Sequence, residues 1–290
     1  MSLSPYVDLP PFVYARRLET PSGPLAVLEG RPPGPDRASV LLVPGFTGSK
    51  EDFAALLDPI AAAGHRVVAL DLRGQFESPG VDDPAAYAVP VLAADVLRTV
   101  SWMDDGPVHV LGHSFGGFVA RRAVIEQPAA FRSLSLLASG PAGIQGKRAT
   151  WLRRLRSVLA RGGVPLLWEA TEALSAGDPR MAARSPADKA FRRRQFLATH
   201  PVAMKMMGEE LLNEPDAVSE LARVGVPVLV AHGDQDDAWP AEVQQEMARR
   251  LQARYLAVPD AFHAPMVEAP EPTARALVDF WAAVEGADRP

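Results

Sequence analysis

Ser114 stands in "GHSFGG", between an apolar run, "PVHVLG", and a helical pattern, "FGGFVARRAVIEQ". A serine hydroxyl held clear of the backbone at a sharp strand-to-helix turn can attack a carbonyl carbon. Such a turn is sterically crowded and calls for small residues two positions to either side. Gly112 and Gly116 meet that need, and Gly117 lets the helix approach the sheet. A serine nucleophile also needs a base and a group that orients the base. Two later stretches supply candidates: "HGDQDDAWP", with Asp234, Asp236 and Asp237, and "DAFHAP", with His263. The order serine, acid, histidine is met, and spacing alone leaves the three acids open.

These residues need a scaffold that brings distant loops together, and the hydrophobic pattern describes one. "FVYARRLE" and "PLAVLEG", joined by "TPSG", predict an N-terminal hairpin. Strand and helix patterns then alternate: "SVLLVPG", "SKEDFAALLDPIAAAG", "HRVVALDLRG", "PVLAADVLRTVSWM", "PVHVLG", "FGGFVARRAVIEQ" and "FRSLSLLAS". Ser49 and Asp52 predict a capping box at the first of these helices. The alternation resumes with "VPVLVAHG", "AEVQQEMARRL", "ARYLAVP" and "PEPTARALVDFWAAV". Such alternation implies an α/β fold with a mostly parallel sheet covered by helices on both faces. Ser114, the acids and His263 then all fall at the carboxyl ends of strands, the edge where ligands bind in open α/β sheets.

Between the two blocks, residues 141–223 carry helical patterns such as "WLRRLRSVLARGG" and "PVAMKMMGEELL" and no good strand. They are expected to form a helical cap on a core made of 1–140 and 224–290. The interruption is richer in basic than acidic residues although the chain's net charge is -5. Trp151, Leu152, Leu155, Val158 and Leu159 make an apolar stripe on its basic helix, whose charged face either meets solvent or attracts an anionic substrate.

Taken together, "GHSFGG", "HGDQDDAWP" and "DAFHAPMVEAPE" resemble the nucleophile elbow, acid loop and histidine loop of the α/β-hydrolase superfamily, and the resemblance covers nearly the whole chain. "VPGFTGS" is similar to its oxyanion loop, with Pro44-Gly45 where many members read His-Gly. The resemblance implies Ser114 as nucleophile, His263 as general base and acid, and Asp236 as the orienting carboxylate, with Asp234 and Asp237 as alternatives. It further implies an oxyanion hole formed by the backbone N–H groups of Phe46 and Phe115. The implied activity is that of a serine esterase acting on a medium-sized, partly apolar acyl substrate, with no cofactor and no metal. A carbon–carbon bond hydrolase, thioesterase or peptidase on the same triad, or a non-catalytic or lyase member of the fold, are the alternatives.

The remaining features bound the partners. Hydrophobic residues make up 48% of the 290 and charged residues 22%, the composition of a globular chain. The acidic balance gives no reason to expect nucleic acid. The absence of cysteine excludes a thiolate nucleophile or ligand. "MSLSPYVDLPPFVYARR" lacks the pattern of a secretory signal, and no stretch has the apolar length of a membrane span, so a cytoplasmic location is the expectation. His109 is expected in the core, His65 at a strand start, His113 and His232 in turns, and Asp71 and Arg73 as buttresses of the site.

Overall fold

In the computed structural model the described residues are 12–32, 34, 37–177 and 184–287. Eight strands form one sheet: β1 (Val13–Leu18), β2 (Leu25–Gly30), β3 (Val40–Val43), β4 (Val67–Leu70), β5 (Val108–His113), β6 (Phe131–Leu137), β7 (Val228–Gly233) and β8 (Arg254–Val258). Their order is β1-β2-β4-β3-β5-β6-β7-β8. The hairpin β1–β2 is antiparallel, and β2 also joins β4 antiparallel. From β4 to β8 every pairing is parallel.

The core helices are α1 (Ala54–Ala62), α2 (Val89–Met103) and α3 (Phe115–Glu126). Between β6 and β7 come α4 (Gly146–Ser175), α5 (Pro186–Ala198), α6 (Pro201–Asn213) and α7 (Val218–Ala222). The chain ends with α8 (Ala241–Leu251), α9 (Pro265–Glu268) and α10 (Pro270–Ala287). None of the described helices is long and apolar enough to cross a membrane.

The apolar runs without polar alternation are explained by burial on both faces. Along β3, Leu41 and Val43 pack into one hydrophobic cluster with α2 and α3, while Val40 and Leu42 pack into the other with α1 and α10. The helix read from Ser49 onward opens as a short 3-10 turn, Lys50–Phe53, before α1. The expected capping box is present, with Asp52 reaching back to Ser49 N–H at 3.2 Å, and the Ser49 hydroxyl also donates to Glu51. Helix α4 is broken at Gly162 and Gly163, where the backbone leaves helical geometry. Of the stripe on its first half, Leu152 and Leu155 are buried, and Trp151, Val158 and Leu159 are partly so.

Between β6 and β7 the described residues form helices and no strand. These helices sit against the loops at the carboxyl ends of the strands. His200 N–H donates to Gly74 O at 2.8 Å beyond β4, and Gln195 Nε2 donates to Ser49 Oγ at 2.7 Å beyond β3. Asp71 and Arg73 are buried beneath them. Asp71 accepts Lys50 Nζ at 2.8 Å, and Arg73 forks onto the buried Asp95. A buried carboxylate left without its cation costs several kcal/mol, so these pairs are obligatory partners.

At the amino ends of the strands His65 and His109 lie beside Trp281, each 5.6 to 5.7 Å from its ring centroid. His109 Nδ1 is 2.7 Å from Ser133 Oγ, but its Nε2 is buried, makes no hydrogen bond among the described residues and lies 3.5 Å from Glu285. The expected core histidine is thus only half satisfied. Burial, with the neighbouring His65, holds His109 down to about 4 against the pull of Glu285. Between the ordinary histidine value of about 6.5 and that lower one, the unfolded chain binds a proton that the folded chain refuses. Stability is therefore lost as pH falls through this window. Urea unfolding at pH 7.5 and pH 5 is expected to show a larger drop in stability in the native protein than in His109→Gln.

Candidate active site

Ser114 follows β5 and caps the start of α3, with φ 51° and ψ -118°. This is a strained conformation for a residue with a side chain. Two bonds hold it: Ser114 N–H donates to Leu137 O at 2.9 Å, and Ser114 O accepts Gly117 N–H at 2.9 Å. The small flanking residues are required by the turn. A Cβ at Gly112 would lie 2.3 Å from Gly116 O, and one at Gly116 would lie 2.4 Å from Pro44 O. Both obstacles are backbone and cannot rotate away.

The acid and histidine loops leave the ends of β7 and β8 and are tied to each other. Asp234 N–H donates to Val258 O and Gln235 N–H to Ala261 O, both at 2.9 Å. Gly233 makes that approach possible, because a Cβ there would fall 2.1 Å from Phe262 O. Glu268 of α9 accepts the N–H groups of Phe262 and Ala264, on either side of His263, at 2.8 and 3.1 Å.

His263 Nε2 lies 3.0 Å from Ser114 Oγ, and its Nδ1 lies 2.9 Å from Asp236 Oδ1. Hydroxyl, imidazole and carboxylate form one hydrogen-bonded chain across residues 149 and 27 positions apart. Asp236 Oδ1 also accepts Ala238 N–H at 2.9 Å, and Oδ2 accepts Gln244 Nε2 at 3.2 Å. Burial opposes charge on Asp236, but His263 and Ala238 N–H outweigh it and keep the carboxyl below its ordinary range. It stays ionised at neutral pH and selects the His263 tautomer that carries its proton on Nδ1. Asp237 turns outward to Arg148 of α4, and Asp234 is exposed.

The other histidines take supporting places. His113 Nε2–H donates to His263 O at 2.8 Å, and burial together with the His263 ring pushes it down to about 3, so it stays neutral. His232 lies 2.7 Å from the Tyr255 hydroxyl. His200 stacks on Tyr87 and caps α6. Trp239 lies 6.1 Å from His263 between ring centroids.

Phe115 is the first residue of α3, so its N–H has no acceptor one helical turn back. Among the described residues Phe46 N–H, in the loop after β3, has no protein acceptor either. The Phe46 ring forms one wall of an apolar cleft between α4 and α6, lined by Leu152, Leu155, Leu159, Leu167 and Met204. Arg156 and Lys205 lie along the same cleft. Gln244, Glu268 and Gln75 were not singled out from the sequence. Gln75 reaches back 30 positions to Gly45, whereas Gln244 and Glu268 bond within eight positions of themselves, and no pattern of residue types marks any of the three.

A sequence profile described as "Alpha/beta hydrolase family" matches residues 40–276, which holds all three members of the hydrogen-bonded chain. The chain belongs to the alpha/beta hydrolase family. Among its relatives is the protein ABHD8 of Mus musculus, 28% identical over 252 residues, covering 84% of this chain and 55% of that protein. The chain thus spans little more than half the length of that relative. A pimeloyl-[acyl-carrier protein] methyl ester esterase of Aeromonas hydrophila is 28% identical over 219 residues, covering 73% of this chain and 84% of the esterase. Among solved structures, a thermophilic esterase from Thermogutta terrifontis superposes with a TM-score of 0.75 at 22% identity, covering 93% of this chain and 99% of that one. The last likeness concerns the fold, an eight-stranded sheet with flanking helices.

Proposed function

We propose that this alpha/beta hydrolase is a serine hydrolase that cleaves an ester or related acyl bond. The observation that carries the reading is the continuous chain from Ser114 Oγ to His263 to Asp236, at 3.0 and 2.9 Å. His263 Nε2 takes the Ser114 proton as Oγ bonds to the carbonyl carbon, and the carbonyl oxygen becomes an oxyanion. Phe46 and Phe115 N–H groups donate to that oxyanion, and Asp236 stabilises the imidazolium. The intermediate expels the alcohol, which leaves with the proton from His263. Water, deprotonated by His263, then attacks the acyl-enzyme, the acid departs, and Ser114 regains its proton. Every proton and electron pair is accounted for by the chain and the substrate, so the reaction calls for no cofactor.

Residues 141–223 act in this reading as the cap over the core formed by 1–140 and 224–290. Seven of the eleven residues that line the cleft beginning at the Phe46 ring are aliphatic or aromatic, and Arg156, Lys205 and Glu209 line it too, which supports a partly apolar substrate. The relationship to an esterase from Aeromonas hydrophila supports ester cleavage.

The test is labelling with a fluorophosphonate, which forms an Oγ–P bond and releases fluoride, followed by a panel of acyl esters, thioesters and amides of graded chain length. Stoichiometric modification of the Ser114 peptide and turnover of medium-chain esters are expected. Absence of labelling in folded protein would remove the serine-hydrolase reading, and preference for thioesters or amides would relocate the substrate class.

A further inference from the structure

The structure assigns Gln75 as a positioning residue that aims the Phe46 N–H at the oxyanion; this rests on the serine-hydrolase reading above. Gln75 lies in the loop after β4 and is completely buried. Its side-chain amide makes two bonds of opposite sense. Oε1 accepts Leu72 N–H at 3.1 Å, and Nε2 donates to Gly45 O at 2.8 Å. With one end fixed as acceptor, the other must be the donor, so the amide cannot be turned over without losing both bonds.

Gly45 C=O and Phe46 N–H belong to the same peptide unit. In a planar trans peptide these two groups point in opposite directions, so holding the carbonyl sets the direction of the N–H. The sheet order then decides what that direction is. β4 and β5 flank β3 on opposite sides. Gln75 draws the Gly45 carbonyl toward the β4 side, and the Phe46 N–H is thereby turned toward the β5 side, where Ser114 stands. Gly45 itself lies against that residue: a Cβ built on it would be 3.2 Å from Ser114 Cβ and 2.9 Å from His113 Nδ1.

A second bond, from Gly48 N–H to Gly45 O at 3.1 Å, closes the turn and uses the carbonyl's remaining lone pair. The loop does need external restraint, since Thr47 has φ 60°. A turn with a β-branched residue in the left-handed region has little intrinsic preference for its own conformation. Flipping the 45–46 peptide would leave the buried Gln75 amide unpaired, which makes the flipped state costly. Gln75 thus fills a need created where this chain reads Pro44-Gly45 and has no side chain at position 44 able to donate to the loop.

Two variants test this. Gln75→Glu keeps the shape and the acceptor for Leu72 N–H but faces the Gly45 carbonyl with a carboxylate oxygen in place of a donor. Gln75→Met keeps the length and removes both bonds. Each is assayed beside the native protein with an oxoester and the matching thionoester, whose sulfur accepts hydrogen bonds weakly and gains little from an aimed donor. The expected result, in whichever variant folds by circular dichroism, is a fall in kcat on the oxoester of about ten- to a hundredfold with KM nearly unchanged. The thionoester rate should fall far less, so that the preference for oxygen over sulfur shrinks by about tenfold or more. A native kcat, or an equal loss on both substrates, overturns the assignment, because disturbed packing or a misaligned triad affects the two alike. Ser114→Ala in the same assay separates the two layers: if it remains active the serine-hydrolase reading fails, and if it is dead while the Gln75 variants match the native protein, only the role of Gln75 fails.

Discussion

Ser114→Ala is expected to lower kcat on any ester the native protein cleaves by about 10⁴- to 10⁶-fold, with the fold intact. The effect is large because the hydroxyl is the atom that bonds to the substrate, and no nearby group replaces it. His263 Nε2 loses its only partner on the serine side, and Asp236 then orients a base with nothing to deprotonate but water. Stability should change little, since the removed oxygen is held by one hydrogen bond, to His263, and a neutral hydrogen bond contributes about 1 kcal/mol. The strained backbone at φ 51° is common to both residues. Steady-state kinetics, fluorophosphonate labelling and a thermal melt on the same preparation check all three parts. A variant that keeps even a tenth of native turnover would show that another group carries the chemistry.

Asp236→Asn is expected to lower kcat by about 10⁴-fold at neutral pH. Asp236 accepts from His263 Nδ1–H, which leaves Nε2 bare to take the serine proton. An asparagine amide can present its NH₂ to Nδ1 and favour the tautomer with the proton on Nε2, which cannot act as a base toward Ser114. The loss of charge also removes the partner of the imidazolium. Asp237→Asn and Asp234→Asn are the controls and should stay within about threefold of native activity, since an exposed ion pair contributes about 1 kcal/mol or less. If Asp237→Asn proved the damaging change, the orienting carboxylate would have to be reassigned.

Those three acids show where local reading stops. "HGDQDDAWP" announces an acid loop, but its spacing does not rank Asp234, Asp236 and Asp237. The distinction is made by the loop's fold: Asp234 N–H is committed to β8, Asp236 turns inward onto Ala238 N–H and Gln244, and Asp237 meets Arg148 of α4. Only the inward one comes within 2.9 Å of His263. The family resemblance favoured the same residue, for reasons of position rather than contact.

The elements were legible for a simple reason. Burial on both faces of a parallel sheet demands uninterrupted apolar strands, and burial on one face of a helix demands period 3.6; both are patterns within a few neighbouring residues. The elbow was legible because the crowding around Ser114 admits only glycine at 112 and 116, a constraint written in residue types. Its strand-end position followed from the alternation.

What no window of the chain contains is the meeting of segments. The place of β4 beside β2 and β3, the seating of Gln195 on Ser49, the ion pair of Lys50 with Asp71 and the hold of Gln75 on Gly45 join residues through space across 21 to 146 positions. A buried glutamine or lysine has no periodicity of its own; it is tolerated only because the folded chain brings its partner. The amino-acid sequence therefore specified the elements and the reactive residue types. The tertiary structure alone selected their partners and, by orienting one peptide plane, the direction in which a backbone N–H points.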